Sequence, residues 1–283
     1  MIEPGPLTVK MRRICLELAR VRGERGLTQK DVERLLGIPS STLSRIESCE
    51  RAVRRDDLSA LLAIYQVARP VREAVLELHR EANLPSLLEE ADLHVHDELA
   101  TWVGFEEHAV EIRNYEHFLV PGLCQTEDYA RAVIENYGLP LERSEVHRRV
   151  AARIARQGLL RREGGPRLNV LLHEAALWQD VGGPDVMREQ LRHLAALADR
   201  PGIEVRIVPG GVGAHPGLVE GAFVILDFVG LPSLVHIEHM VHSLYLEEKP
   251  DANAYKAAFN GILAVAHGAR DSVDLIRKLG EGL

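Results

Sequence analysis

The stretch Leu27–Glu47, LTQKDVERLLGIPSSTLSRIE, decides the fold of the first third of the chain. Thr28 is placed as the N-cap of a helix over Gln29–Leu36, because its hydroxyl can accept a backbone N–H that the first helical turn leaves unpaired. Gly37 ends that helix as a C-cap, where a residue without a Cβ takes a left-handed conformation at low cost. Only Gly37-Ile38-Pro39 intervenes before Ser40 opens a further short helix through Glu47, with Leu43 and Ile46 facing inward.

Working outward, Val9, Ile14, Leu18 and Val21 recur at helical spacing over Thr8–Glu24, with Arg12, Arg13, Arg20 and Arg22 between them, and Gly26 stops this first helix. A fourth helix is predicted over Asp57–Tyr65 on the stripe Leu58, Leu61 and Leu62, and a fifth over Val71–Ala82. Met1–Leu7, with two prolines and a glycine, reads as a loose leader. Five short helices, two of them joined by a tight glycine turn, are the sequence shape of a helix-turn-helix DNA-binding domain, assigned to residues 8–83.

A recognition helix must offer short polar and basic side chains to base edges. Ser40, Ser41, Thr42, Ser44 and Arg45 supply that face, and Arg45 is its one strong donor, able to meet guanine O6 and N7 together. Thr28 and Gln29, at the start of the preceding helix, are placed for the phosphate backbone, and Arg51 just beyond the recognition helix joins the expected contact set.

Composition supports a polyanion partner. The chain has 283 residues and a net charge of −8, but residues 1–55 carry two Lys and ten Arg against seven acids, leaving −13 on the rest. A basic head is thus joined to an acidic body. With 46% hydrophobic and 27% charged residues the chain can bury a core and is not a disordered polymer. Cys15, Cys49 and Cys124 form no Cys-x-x-Cys pair and no disulfide framework, which fits a reducing, cytoplasmic setting, and the DNA-binding reading adds association with the nucleoid. The longest apolar runs, Ala60–Tyr65 and Ile262–Ala266, are far too short for a membrane span, so no membrane partner is expected.

After Asn83–Asp92, with Pro85 and the acids Glu89, Glu90 and Asp92, residues 84–97 read as a linker and 98–283 as an α+β domain. Its predicted helices are Leu99–Glu107, one capped by Thr126 through Asn136, Ser144–Arg162, Pro184–Ala198, Asp251–His267 and Ser272–Leu279. An extended segment over Ala109–Val120 and β-branched stretches at Leu168–Leu172, Ile203–Val208, Ala222–Phe228 and Leu234–Ile237 supply a modest sheet. The last helix, with Val273, Ile276 and Leu279 on one stripe after an Asp271 cap, is a candidate contact for self-association or for its own domain.

The residues Leu27-Thr28-Gln29 and Leu36 through Glu47 resemble the XRE family of lambda and Cro-type repressors. That resemblance implies a lambda-repressor-like head of five helices, double-stranded DNA as partner, and an ion pair between Arg22 and Glu47. The family usually carries Gly two residues after this Glu, where this chain has Cys49; if the site needs a positive φ, the cysteine is strained there.

In the body, Tyr115, Val120-Pro121-Gly122-Leu123-Cys124-Gln125-Thr126, Asp128–Arg131, Arg153, Arg156-Gln157, Glu174–Leu177, Gly182-Gly183-Pro184, Met187–Leu191 and Gly213–Gly217 occur in an order similar to actinobacterial XRE regulators of the WhiJ type, described as antitoxin-like. The resemblance implies control of development or secondary metabolism and a small BldB-like or WhiJ-associated partner protein. Read as residues alone, Pro121-Gly122 is a turn, Gln125-Thr126 a helix start, Tyr129 and Leu191 core, and Glu174 with Arg153 or Arg156 a structural ion pair.

Catalytic signatures are incomplete. His173-Glu174-Ala175-Ala176-Leu177 lacks the second His of a zinc-protease helix, Gly211–Pro216 misses the last Gly of a dinucleotide loop and leads into a strand-like segment, and no Gly-x-Ser-x-Gly elbow exists. In the best histidine group, His94 and His96 with His236, His239 and His242, only a helix or turn would gather the last three, so no metal or cofactor is expected. The expectation is a non-enzymatic, sequence-specific transcription regulator acting as a homodimer. The alternative is an antitoxin-like module that sequesters a small partner, with DNA binding serving autoregulation.

Overall fold

The computed structural model describes residues 9–82, 97–136, 138, 141–229, 232–238 and 243–283. It divides into two compact units, an N-terminal helical one and a C-terminal α+β one.

The helical unit holds α1 (Val9–Glu24), α2 (Gln29–Leu36), α3 (Ser40–Glu47), α4 (Arg55–Ile64) and α5 (Arg69–Glu81), together with α6 (Asp97–His108). Its core gathers one stripe from each of the first five helices: Ile14 and Leu18, Val32, Leu43 and Ile46, Leu58, Leu61 and Leu62, then Val75 and Leu78. α4 starts two residues before the Asp57 expected to open it, with Asp56 and Asp57 in its first turn, where carboxylates favour the helix dipole. α6 packs on α1, its Trp102 and Val103 are buried, and Phe105 lies under the Arg13 guanidinium at 5.3 Å from the ring centroid. Arg13, expected on the polar face of α1, is therefore buried. The contacts group α6 with the helical unit, whereas the sequence reading opens the second domain at residue 98. Of the linker over 84–97, only Asp97 falls within the described residues.

The C-terminal unit is built on a six-stranded sheet of order β3-β2-β1-β4-β5-β6, with β1 (Glu111–Glu116), β2 (Arg167–His173), β3 (Ile203–Val208), β4 (Phe223–Asp227), β5 (Leu234–Glu238) and β6 (Ser243–Leu246). β1, β2 and β3 are parallel and the remaining ladders antiparallel. Helices make the parallel crossovers: α7 (Glu127–Glu135) and α8 (Arg143–Arg156) between β1 and β2, then α9 (Ala175–Trp178) and α10 (Pro184–Ala198) between β2 and β3. Tyr115, Leu171 and Phe223 are register partners on one face, which packs on Phe259 and Ile262 of α12 (Lys249–Leu263).

The long helix expected over Ser144–Arg162 stops at Arg156 and continues as a 3-10 turn, Gln157–Arg161. After the glycine-rich stretch, one helical turn, α11 (Gly217–Glu220), precedes β4, where the sequence suggested a strand directly. Gly217 has no room for a Cβ, because the Tyr115 phenol would lie 2.4 Å from it.

The terminal helix α13 (Ala269–Gly282) starts at a Gly268 cap, not at Asp271, and docks on its own unit. Val273 and Ile276 are buried, a Cβ on Gly280 would meet Leu191 of α10 at 3.3 Å, and the Ser272 hydroxyl accepts the Ile207 N–H of β3 at 2.9 Å while donating to Gly268 O. Its apolar stripe is thus used within the chain and is not left for a partner.

Three buried glutamines fix the segment Val120–Thr126. Gln125 Nε2 donates to Val120 O (2.7 Å), Gln157 Nε2 to Gln125 O (2.6 Å) and Gln190 Nε2 to Cys124 O (2.7 Å), while Gln190 Oε1 accepts the Thr126 N–H (2.8 Å). Tyr129 is fully buried and its hydroxyl accepts the Val120 N–H. Each amide satisfies backbone groups that a non-repetitive turn would otherwise bury unpaired. The expected Glu174 pair with Arg153 or Arg156 does not form: Glu174 Oε2 accepts the Gly210 N–H at 3.0 Å, and Arg153 Nη1 donates to Gln125 Oε1 at 3.0 Å.

Candidate nucleic-acid interface

The two helices of the DNA-facing motif are set by their ends. Thr28 Oγ1 accepts the Asp31 N–H, and Asp31 Oδ2 accepts the Thr28 N–H at 2.9 Å, a reciprocal capping box that holds the carboxyl of Asp31 below its ordinary range. Gly37 sits at φ +69°, and its N–H reaches Glu33 O at 2.8 Å. α3 then begins at Ser40 with Pro39 in the cap position and no side-chain cap.

Ser41, Ser44, Arg45 and Ser48 are exposed and follow one another at helical spacing along a single stripe of α3. Ser40 and Thr42 are half-buried, while Leu43, Ile46 and Glu47 face the core. Arg45 lies 3.7 Å from Glu50, with both side chains about 60% exposed, a contact too solvated to hold the guanidinium in place. Arg51 is exposed, and its backbone N–H donates to Arg45 O at 3.0 Å. The structure thus brings Ser41, Ser44, Arg45 and Arg51 to the surface of one helix and its exit.

Thr28, which is exposed, and Gln29, which is half-buried, both have partners within the chain. The Thr28 hydroxyl serves the capping box, and Gln29 Nε2 donates to Glu47 Oε2 at 2.8 Å, so its amide turns toward Glu47 and not toward an outside phosphate. Glu47 is the hub. Arg22 Nε donates to Glu47 Oε1 (2.6 Å), Arg22 Nη2 to Glu47 Oε2 (2.8 Å) and Arg22 Nη1 to Leu27 O (2.6 Å). This fork joins the last turn of α1, the entry to α2 and the end of α3, and the Glu47 bond raises the Arg22 pKa above its ordinary range. Tyr65 packs fully buried beside the pair, its hydroxyl pushed up by burial and by the Glu47 charge.

The exit of α3 is strained. Cys49 has φ +60°, and Glu50 donates its N–H back to Arg45 O at 2.9 Å, the closure that a glycine at this position usually makes. A side chain in this conformation costs about 1–2 kcal/mol. Cys15 of α1 lies beneath the loop, its thiol directed at Arg51 O (3.9 Å) and pushed up to about 12 by burial and by the neighbouring Cys49.

Many arginines of the head pair with acids three or four positions away: Arg20 with Glu17 and Glu24, Arg34 with Asp31, Arg54 with Asp57, Arg69 with Glu73 and Arg80 with Glu77. Such exposed pairs are screened by solvent and contribute little, so phosphates can displace them at small cost. Asp31, Glu50 and Tyr65 belong to the site as well. The Thr28-x-x-Asp31 spacing was a legible signal for the first; the other two are brought in by the chain fold.

Residues 15–75 match the model of a helix-turn-helix domain, and residues 99–278 match that of a domain of unknown function, DUF5753. The chain belongs to the DUF5753 family. No curated protein and no solved structure gives a significant match. The helix-turn-helix supports DNA binding and transcription regulation, and it coincides with the helices that carry Ser41, Ser44 and Arg45. The DUF5753 match begins within α6 and takes in the whole sheet.

Among the described residues of this DUF5753 protein, no group of three or more His, Cys, Asp or Glu side chains could hold a metal ion, and no helix is long and apolar enough to cross a membrane. His236 is buried on β5 and stacks on Tyr245 of β6 at 4.9 Å; burial and Arg156 depress its pKa to about 4. His94, His96, His239 and His242 lie outside the described residues.

Proposed function

We propose that this protein is a sequence-specific regulator of transcription of the XRE class, a cytoplasmic, nucleoid-associated homodimer whose DUF5753 unit is regulatory and not catalytic. The observation that carries the reading is the exposed stripe Ser41-Ser44-Arg45 on a helix whose other face is fixed by Arg22, Gln29 and Glu47. A reader of base edges needs this combination, since specificity demands donors carried on a rigid, firmly placed element. One such helix covers only a short half-site, which is why a dimer reading two half-sites about one helical turn apart is part of the proposal.

The test is selection from a random duplex library by the full chain, followed by the same selection with Arg45→Ala. A repeated half-site motif that loses preference at one base pair in the variant supports the reading; no enriched motif, or an unchanged one, refutes it. The WhiJ-type resemblance extends the proposal to control of development or secondary metabolism, with a small BldB-like or WhiJ-associated protein as partner. A stoichiometric complex with such a partner, formed without DNA, would favour the antitoxin-like role over the regulatory one.

A further inference from the structure

The C-terminal unit carries a half-open pocket of about 350 Å³ between the 3-10 turn Gln157–Arg161 and the last turns of α10. Leu123, Leu160 and Leu197 line it on the apolar side, and Arg161, Arg200 and His193 supply its polar groups. No carboxylate lines it, although residues 56–283 carry a net charge of −13. Arg161 makes no side-chain hydrogen bond or ion pair among the described residues, and Arg200 has only the Leu160 carbonyl, to which Nη2 donates at 2.7 Å. Each guanidinium therefore keeps most of its five donors for something else.

His193 adds a second observation. Its Nε2 is buried and has no hydrogen-bond partner among the described residues. Burial holds the imidazole below its ordinary range, with Arg161 and Arg200 pushing the same way against Glu189, so the ring is neutral at physiological pH and the two arginines set the local charge. A buried polar atom without a partner, in a pocket lined by two arginines and no carboxylate, is costly unless a ligand completes it.

We propose that this cavity binds a small organic oxyanion, its phosphate or carboxylate head held by Arg161 and Arg200 and its apolar body lying on Leu123, Leu160 and Leu197. The volume falls within the range of small-molecule sites, which are mostly apolar with a few fixed polar groups. Its floor is rigid in advance of binding. Leu123 belongs to the segment clamped by the buried glutamines, and Gln157, whose amide holds Gln125 O, opens the turn that carries Leu160 and Arg161. The Pro121–Thr126 segment and Gln157 thus form the frame of a binding site. The inference does not depend on the DNA reading, since the site lies within the C-terminal unit and is assayed without DNA.

The experiment is calorimetric titration of the full chain, at constant ionic strength, with inorganic phosphate, phenyl phosphate and benzoate. One aryl anion should bind saturably, one per chain, and about tenfold or more tighter than inorganic phosphate, because only it covers the leucines. Phenyl phosphate ahead of benzoate assigns the phosphate head, and the reverse assigns the carboxylate. Arg161→Gln, at an exposed side chain with no bond to lose, should leave the melting temperature unchanged and weaken binding about tenfold or more, as the loss of a charged, forked donor requires. Arg200→Lys, which keeps the charge and a donor for Leu160 O, should weaken binding less. The proposal is overturned if neither aryl anion saturates by about 5 mM, weaker than the range of specific small-ligand affinities. It is equally overturned if inorganic phosphate binds as tightly as both aryl anions, or if Arg161→Gln binds like the parent chain.

Discussion

Replacing Arg22 with methionine removes three hydrogen bonds at once and leaves the Glu47 carboxylate, with 7% of its side-chain surface exposed, holding only the Gln29 amide. Breaking a buried ion pair from one side costs about 3–5 kcal/mol because a lone charge stays behind. Arg22 is 19% exposed, so water reaches the gap and the lower end applies, about 3 kcal/mol. The double variant Arg22→Met, Glu47→Met removes both charges and leaves apolar side chains beside Tyr65, so it should lose only about 1–2 kcal/mol. The two substitutions are thus non-additive, which is the signature of a direct interaction. Because the chain has two units, a global melt would mix their transitions, and the assay should be amide hydrogen exchange of α1, α2 and α3 in the full protein. Protection that changes by less than about 0.5 kcal/mol in Arg22→Met, or a double variant that equals the sum of the singles, would refute the assignment of Glu47 as the buried hub.

Other outcomes follow from the same structure. Arg45→Ala should cost about 1–3 kcal/mol on the cognate duplex and relax preference at one base pair, measured by competition binding. Cys49→Gly should raise the stability of the helical unit by about 0.5–1 kcal/mol by relieving the φ of +60°, whereas Cys49→Ala should not, as judged by urea unfolding followed at that unit. Glu116, pushed from 4.5 to about 7 chiefly by burial and also by Glu238, against an Asn114 bond and Arg153, stays protonated in the fold while the unfolded chain ionises. It therefore makes stability fall as pH rises from about 4.5 to about 7, and Glu116→Gln should flatten that slope in melts across the window. A fragment ending at residue 108 should resist proteolysis better than one ending at residue 82, by about 2–4 kcal/mol of local stability, because the latter strips α6 with Trp102 and Val103 from α1.

The bounds of α2, α3, β3 and α10 could be read from the chain because their causes are local. A Thr cap, a glycine that accepts a left-handed φ, a proline at a first turn and a run of alternating β-branched residues each act within a few positions. The division into a basic helical head and an acidic α+β body was legible for the same reason, since charge and apolar period are sums over sequence. The resemblance to known repressors pointed to Arg22 and Glu47, which lie 25 positions apart; periodicity alone would not have paired them.

Elsewhere the deciding partners are distant in sequence and the chain alone is silent. Its position at a helix start permits Gln29 to face phosphate, but the carboxylate that takes its amide arrives from 18 residues away. The stripe of α13 is the same whether it meets another chain or its own α10; only packing against Leu191 and β3 chose the second. Nothing in the run Ser243–Leu246 announces an edge strand until β5 lies beside it, and strand order is a property of crossovers, not of any one strand. The pocket is the clearest case: Arg161 and Arg200 are ordinary surface arginines in the sequence, and only the fold of the 3-10 turn against α10 sets both beside one half-buried imidazole in a pocket that no carboxylate lines.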